Sequence, residues 1–504
     1  MKKIIVCLSL ILIIISSVAC GDNQSAVENQ DINTPVENNN QNDENQDPAV
    51  QEEIKMLPDI PEDLDFEGYK FRAFYSSVDE AGVWGLRDIV HAEIEQGAEV
   101  INDAVYARNM YLEEKYNFEI VGIPTTTTTM QSGSIRRIIQ SGSDDYDVLF
   151  VRQNQTGDLI TSGCLVDLNE VMYLDFDKPW WDKSIIDQLS VSNKIFAASG
   201  DIMATNSNAL RVFLFNKQMV ADFALDSPYD LVRENKWTLD TFYDMCKDAS
   251  RDVNGDGVFN QHDQYGYLVQ SGSTIKLFYS AGEHTVMKDS NGIPALTAGN
   301  EKTMQVLEKI INILSHKDAV MFDGDYIGLD SRGPEYVLMT TFEDGRGLFF
   351  SEVLQLAERM RGTDTDFGIL PPPKADENQA DYISFADSWC MNLMLVPVTN
   401  TNLERTGAIL EAMSAESKYG LLPAYYEKTL LGKYARDDDS EEMLDIIIQN
   451  KIVSLDEMFN WTLHGEIQNV LRSRSSNFAS AIERTLERSH VRVERTVTII
   501  ENLG

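Results

Sequence analysis

Tyr146-Asp147-Val148-Leu149-Phe150-Val151, residues 146–151, is a compact apolar run with one acidic interruption, and it reads as a buried strand. Upstream, a helix is expected around Ile135 to Ile139, preceded by the five threonines 125–129 as a polar loop. A strand is expected from Phe118 to Val121. The helix before it carries Val105, Leu112 and Tyr116 on its apolar side, with Asn102 as its cap. The first strand is Tyr69-Lys70-Phe71-Arg72-Ala73-Phe74-Tyr75, stopping at Ser76-Ser77. Strands alternating with helices in this way predict an α/β architecture with a mainly parallel sheet.

The second half repeats the pattern. Thr238 is placed to cap a helix with Phe242, Met245, Cys246 and Ala249 on one face, and Asn300 another with Met304, Leu307, Ile310, Ile311 and Leu314. Trp237, at the opening of the first of these, reads as packing. A strand is expected near Tyr267 to Val269. Phe367-Gly368-Ile369-Leu370 runs into three prolines, 371–373, which force extended chain. Trp389 to Val396 reads as a strand, and helices dominate from Thr401 onward.

The sequence carries no GxxxxGK[ST] loop, HExxH or GxSxG, and its six histidines are scattered. Its 81 acidic residues leave room for an acid–base pair, and nothing marks one. The net charge of −39 argues against nucleic acid and against direct docking on anionic lipid. Hydrophobic residues make up 43%, enough for a body of about 440 residues to divide into two lobes or more.

The N-terminus has a different character. Lys2 and Lys3 precede an apolar run from Ile4 to Ile15, then Ser17-Val18-Ala19-Cys20-Gly21. The run is shorter than the roughly 20 residues that span a bilayer. It resembles a lipoprotein signal peptide, residues 1–20, cut before a lipid-bearing Cys20. Residues 21–65 are rich in Asn, Gln, Asp and Glu, with no aromatic residue before Phe66. Such a stretch is expected to be a disordered tether reaching roughly 30 Å. With Cys7 lost and Cys20 lipidated, Cys164, Cys246 and Cys390 remain and read as small buried apolar groups.

One local motif points to a metal. Asp252-Val253-Asn254-Gly255-Asp256-Gly257 follows D-x-[DN]-x-[DN]-G. Asp252, Asn254, Asp256, the Val258 carbonyl, Asn260 and Asp263 fall at calcium-loop positions, with Asp263 where a longer Glu is usual. A structural calcium is expected; the alternative is an Asx-rich turn that binds nothing.

Several short motifs in order carry a resemblance. They are residues 102–109 (Asn102-Asp103-Ala104-Val105-Tyr106-Ala107-Arg108-Asn109), Leu165-Val166-Asp167-Leu168-Asn169, Lys178-Pro179-Trp180-Trp181-Asp182 and Phe215-Asn216-Lys217. Lys236-Trp237-Thr238-Leu239-Asp240, Asp263-Gln264-Tyr265-Gly266, Gly368-Ile369-Leu370-Pro371 and Pro423-Ala424-Tyr425-Tyr426 follow. From about Phe66 onward the chain resembles family 1 of the bacterial extracellular solute-binding proteins, the sugar-capturing lipoproteins of ATP-driven (ABC) importers. The resemblance implies a type II periplasmic-binding fold: two α/β lobes around a central cleft with a hinge. Residues 66–210 would form the N-terminal lobe, with 375–430 returning to it. Residues 211–374 would form the C-terminal lobe, completed by helices in 431–504. The crossings are expected near 210–215 and 371–382.

It implies a non-enzymatic, monomeric, lipid-anchored protein on the extracellular face of the membrane, handing an oligosaccharide to permease subunits. In such a cleft aromatic faces stack on sugar C–H faces while carboxylates and amides meet hydroxyl groups. By position relative to the motifs, the candidates on the first lobe are Tyr75, Ser76, Arg152, Gln153, Asn154, Trp180, Trp181 and Trp389. On the second they are Tyr279, Glu283, Phe350, Ser351 and Glu352. Trp180 and Trp181, being adjacent, face different ways, so at least one belongs to the core. Tyr425 and Tyr426 fit cleft rim and core equally. The competing readings are an oligopeptide-binding lipoprotein and a surface-anchored glycoside hydrolase.

Overall fold

A computed structural model of the protein describes residues 55–76, 85–92, 97, 99–125, 131–426 and 437–503. The signal peptide, Cys20, residues 21–54 and threonines 126–129 lie outside the described residues. No helix among the described residues is long and apolar enough to cross a membrane.

The strands are, in chain order, β1 (Tyr69–Tyr75), β2 (Phe118–Pro124), β3 (Val148–Arg152), β4 (Arg211–Asn216) and β5 (Tyr265–Val269). Then come β6 (Val286–Lys288), β7 (Pro294–Leu296), β8 (Val320–Phe322), β9 (Gly347–Val353) and β10 (Phe367–Leu370). The last are β11 (Ser384–Phe385), β12 (Asn392–Leu395) and β13 (Lys451–Ile452). They form two main sheets, ordered β12-β3-β1-β2 and β10-β4-β9-β5-β8. β1 runs parallel to β2 and β3, while β12 opposes β3. In the second sheet β5 runs parallel to β8 and β9, while β4 opposes both β9 and β10.

Each sheet thus has one reversed strand, and in each it is the first laid down after the chain crosses from the other lobe. The chain enters each lobe from the side where the parallel strands end, so its first strand must run away from that side. Helices cover both faces, and the strands alternate accordingly. Phe71 and Ala73 pack with Val148 and Phe150 on one face, while Phe74 packs with Leu149 and Val151 on the other. In the second lobe Phe213 and Phe215 join Trp237, Phe242, Tyr267 and Phe349 in an aromatic core. Trp237 closes it, donating its indole N–H to the Pro371 carbonyl at 2.9 Å.

Thr238 and Asn300 cap their helices as the sequence predicts, through the amides of Thr241 and Thr303. Asn102 does not. The first helix begins at Val100, with the Glu99 side chain accepting from the Asn102 N–H. The expected tether also ends early. Lys55 pairs with Glu416 at 2.7 Å, the Met56 amide donates to Tyr419, and Ile60 and Leu64 pack on the N-terminal lobe.

The outward crossing lies at Leu210–Arg211, but the return comes later than residues 371–382. Ala375, Tyr382 and Phe385 still belong to the second core, and the chain turns back where Ala386 pairs with Leu210. The C-terminal helices do more than complete the second lobe. Asp438–Gln449 covers β10 and Leu463–Ser473 packs on the second lobe, whereas Leu455–Phe459 sits on the first-lobe helix Gln153–Thr161. That approach needs Gly157, where a Cβ would come within 2.3 Å of the Met458 carbonyl oxygen. The last helix, Phe478–Glu501, reaches both lobes. Leu486 lies against Gly299 beyond β7; at the other end Glu501 accepts from Ser192 and Leu503 lies against Gly163.

Candidate functional site

Between the lobes, where the parallel strands end, lies a cleft of about 620 Å³. Arg152, at the end of β3, and Asp387, Trp389 and Cys390, at the return crossing, form one wall. Gln270, Asp323, Glu335, Tyr336, Met339 and Arg359 form the other. Arg211 and Glu352 make the floor, and Gln468 closes a side.

The floor is organised around one guanidinium. Arg211 is buried where the chain crosses between lobes; one of its NH₂ groups lies 3.5 Å from Glu352 and the other pairs with Asp387. The Asp387 carboxylate also accepts from the Trp389 backbone N–H at 3.0 Å, fixing the turn that presents the indole. Burial pushes Asp387 up, but Lys276 and Arg211 outweigh it and hold the carboxyl well below the ordinary range. Burial raises Glu352 against the pull of Arg211. Trp389 is 56% exposed, unusual for an indole, and offers an apolar face above this charged floor.

Behind the floor sits a second polar layer. Lys276 reaches Glu457 at 3.0 Å and lies 4.1 Å over the Phe385 ring. Tyr279 stacks on Phe385 and hydrogen-bonds His464 Nδ1 at 2.9 Å, and burial pushes that histidine down to about 4. A further ion pair spans the lobes, Arg87 with Glu358 at 3.3 Å.

Of the thirteen candidate ligand residues, the cleft gathers Arg152, Glu352 and Trp389. Gln153 and Asn154 lie one step behind. Gln153 is buried and donates to the Ser454 carbonyl, and the Asn154 amide donates to that of Ser388, tying lobe, crossing and C-terminal block together. Tyr75 packs beside Gly122 of β2. Ser76 is buried, with its carbonyl accepting from Leu86. Trp180 and Trp181 are both buried in the first lobe, their indole N–H groups converging on Glu411 at 3.1 and 2.9 Å. Tyr279 is enclosed as described, and Glu283 is held by Lys302 and Thr303 away from the cleft.

Phe350 and Ser351 lie short of the cleft, which Glu352 of the same strand reaches. The cleft lies at the end of β9, whereas residues 345–347 are at its start, where Arg346 donates to the Gln261 and Asp263 carbonyls. Phe350 is core, and Ser351 lies buried in mid-sheet. Tyr425 is core and hydrogen-bonds Asn208, and Tyr426 is half-buried. Cys164 and Cys246 are buried; Cys390 instead lines the cleft.

Sequence reasoning missed Arg211, Asp387, Tyr336 and Arg359. An arginine opening the otherwise apolar Arg211-Val212-Phe213-Leu214-Phe215 was a readable signal for the first. The others depend on contacts between segments far apart in the chain.

The calcium-type loop closes on its own amides. The Asp252 carboxylate accepts from Gly255 and Gly257, Asp256 from Val258, and buried Asp263 from Val253 and Asn260, all at 2.7–2.9 Å. Asn254 and Asn260 accept from Asp256 and His262. Among the described residues no three acidic, His or Cys side chains gather as a metal set.

No family model matches the chain, and no curated protein matches it in sequence. Solved structures do match its fold. An ABC substrate-binding protein from Listeria monocytogenes in complex with cycloalternan superimposes with a TM-score of 0.53 at 12% identity, over 84% of this chain and 98% of that one. The cyclic alpha-maltosyl-1,6-maltose binding protein of Arthrobacter globiformis gives 0.54 at 11%, over 85% and 99%. The maltose/maltodextrin-binding domain from Bdellovibrio bacteriovorus, bound to maltotriose, gives 0.52 at 12%, over 85% and 100%. The shared architecture is the type II periplasmic-binding fold, with two α/β lobes around a central cleft.

Proposed function

We propose that this chain is an extracellular solute-binding protein that captures an oligosaccharide in the interlobe cleft and passes it, unaltered, to an ABC importer. The observation that carries the reading is the exposed Trp389 face set over Arg152, Arg211, Glu352 and Asp387 at the crossing between the lobes. An apolar plate beside fixed donors and acceptors suits a pyranose, which has a C–H face and a hydroxyl rim. That proteins of the same fold bind cycloalternan and maltotriose supports this class of ligand. Closure follows if the sugar touches both walls better when they approach.

Titration calorimetry against a panel of neutral oligosaccharides tests it. A saturable heat with at least one glycan, with more compact scattering on binding, is expected. No heat with any glycan, and unchanged scattering, would refute it. Heat with free peptides alone would favour the oligopeptide reading.

The hydrolase reading draws on two carboxylates, Glu352 and Asp387, in one cleft with opposite pKa shifts. Both are turned onto the same guanidinium, an arrangement that suits scaffolding. No reducing sugar is expected on prolonged incubation with bound glycan.

The lipid on Cys20, the permease partner and the monomeric state belong to the same proposal. Cys20→Ala should abolish palmitate labelling. Calcium at residues 252–263 rests on sequence spacing alone; a higher melting temperature in excess calcium than in chelator, lost in Asp256→Ala, would support it.

A further inference from the structure

Between the helices Ile275–Ser280 and Glu301–Leu314, both packed in the second-lobe core, the chain makes the hairpin β6–β7. Its tip reaches the first lobe. The Gly292 carbonyl accepts from the Ser192 amide at 3.0 Å, and a Cβ on Gly292 would come within 3.3 Å of the Asn193 side chain. Val286 and Ile293 pack on the apolar cluster that includes Leu189 and Val191.

Lys288 makes the polar contact. Its ammonium donates to the Asp187 carbonyl, to that of Ser190 at 3.0 Å and to the Ser190 hydroxyl at 2.7 Å. Asp187 and Ser190 belong to the last turn and cap of the helix Lys183–Leu189, where backbone carbonyls lack partners within the helix. A lysine from one lobe thus caps a helix of the other.

The crossing segments separate this bridge from the cleft. Beside the bridge lies a hollow of about 550 Å³, lined by Ser184 and Gln188 of the capped helix, by Gly282 and Lys302 of the second lobe, and by Ile383 and Ile452 at the crossings. The cleft draws instead on Arg211 and Asp387 of the crossings and shares no lining residue with this hollow. The cleft walls stand apart, leaving Trp389 more than half exposed. When two lobes turn about their crossings, narrowing one side widens the other. Hydrogen bonds as short as those of Lys288 are lost when stretched by about 1 Å.

We propose that the hairpin is a latch on the far side of the hinge: Lys288 and Gly292 grip the first lobe, hold the cleft open and oppose its closing. The proposal rests on the reading of the cleft as a site that closes on its ligand. A latch that lowers the population of the closed form weakens apparent affinity by the same factor, so releasing it strengthens binding.

The test compares the full chain with Lys288→Met, which keeps the apolar stem, and with Ser190→Ala, which removes one acceptor. Hydrogen exchange at the Ser192 amide should quicken in Lys288→Met. Affinity for a glycan that binds the parent chain should rise by about threefold or more in Lys288→Met and by less in Ser190→Ala, although neither residue touches the cleft. Unchanged exchange at Ser192, or an affinity that stays level or falls while exchange quickens, would overturn the proposal. Failure of every glycan to bind the parent chain would refute the sugar reading alone. Ligand-free scattering then decides: a smaller radius of gyration in Lys288→Met supports the latch, and an unchanged one overturns it.

Discussion

Trp180 and Trp181 and, two hundred residues later, Trp389 carry the same indole and meet opposite surroundings. The first two sit under the first-lobe sheet, and Glu411 from the helix Leu403–Tyr419 satisfies both N–H groups. Trp389 stands on a turn held by Asp387, with most of its ring open to the cleft. The difference teaches that an aromatic pair in a recognisable motif marks a packing joint. The proposed binding surface is instead built around a lone exposed indole next to a carboxylate that the crossing needs.

The sharpest way to break this contrast is to truncate each kind in turn. Trp180→Ala removes a fully buried ring and should cost about 3–5 kcal/mol in urea unfolding, while the folded fraction keeps its glycan affinity. A specific loss of affinity at unchanged stability would invert the assignment.

The joint also has a pH signature. Burial raises Glu411 to about 7, against the hydrogen bonds from both indoles and the Asp175 amide. Its folded pKa therefore lies above the unfolded value of about 4.3, so the native state holds a proton that the unfolded chain releases between those values. This contribution is fully present below about pH 4.3 and falls as pH rises toward 7, by up to about 1 kcal/mol per unit. Glu411→Gln should flatten that slope relative to the parent chain; identical slopes would show that Glu411 stays ionised.

Trp389→Ala should leave stability within about 1 kcal/mol and lower glycan affinity by about tenfold, since stacked rings contribute about 0.5–1.5 kcal/mol beyond burial. Unchanged affinity would take the indole out of the site. The smallest effect is expected from Glu358→Ala, which releases Arg87 across the lobes. A partly buried pair open to salt contributes on the order of 1 kcal/mol, so a severalfold change at low salt should shrink at high salt.

Much of the fold was legible because its signals are local. Apolar alternation in residues 69–75 and 146–151, and the caps Thr238 and Asn300, each act within one turn or one strand. The site was less legible because it is assembled over distance. Arg211 and Asp387 are 176 residues apart, and neither segment alone says that they meet. Where the sequence reading erred, it erred in direction or depth. Phe350 and Ser351 fall short of the end of β9 and are enclosed by the sheet, and Tyr279 follows a strand yet turns inward toward His464. The tether overran because residues 55–65 hold only a few apolar groups, and those dock on a helix the local sequence does not mention.

The last helix gives the hinge a mechanical character. Its 24 residues make a rod about 36 Å long, seated on the second lobe near one end and on the first at the other. A rod fixed at both ends resists stretching and bending far more than rolling. A movement of one lobe against the other would therefore have to repack at least one of the helix's two seats.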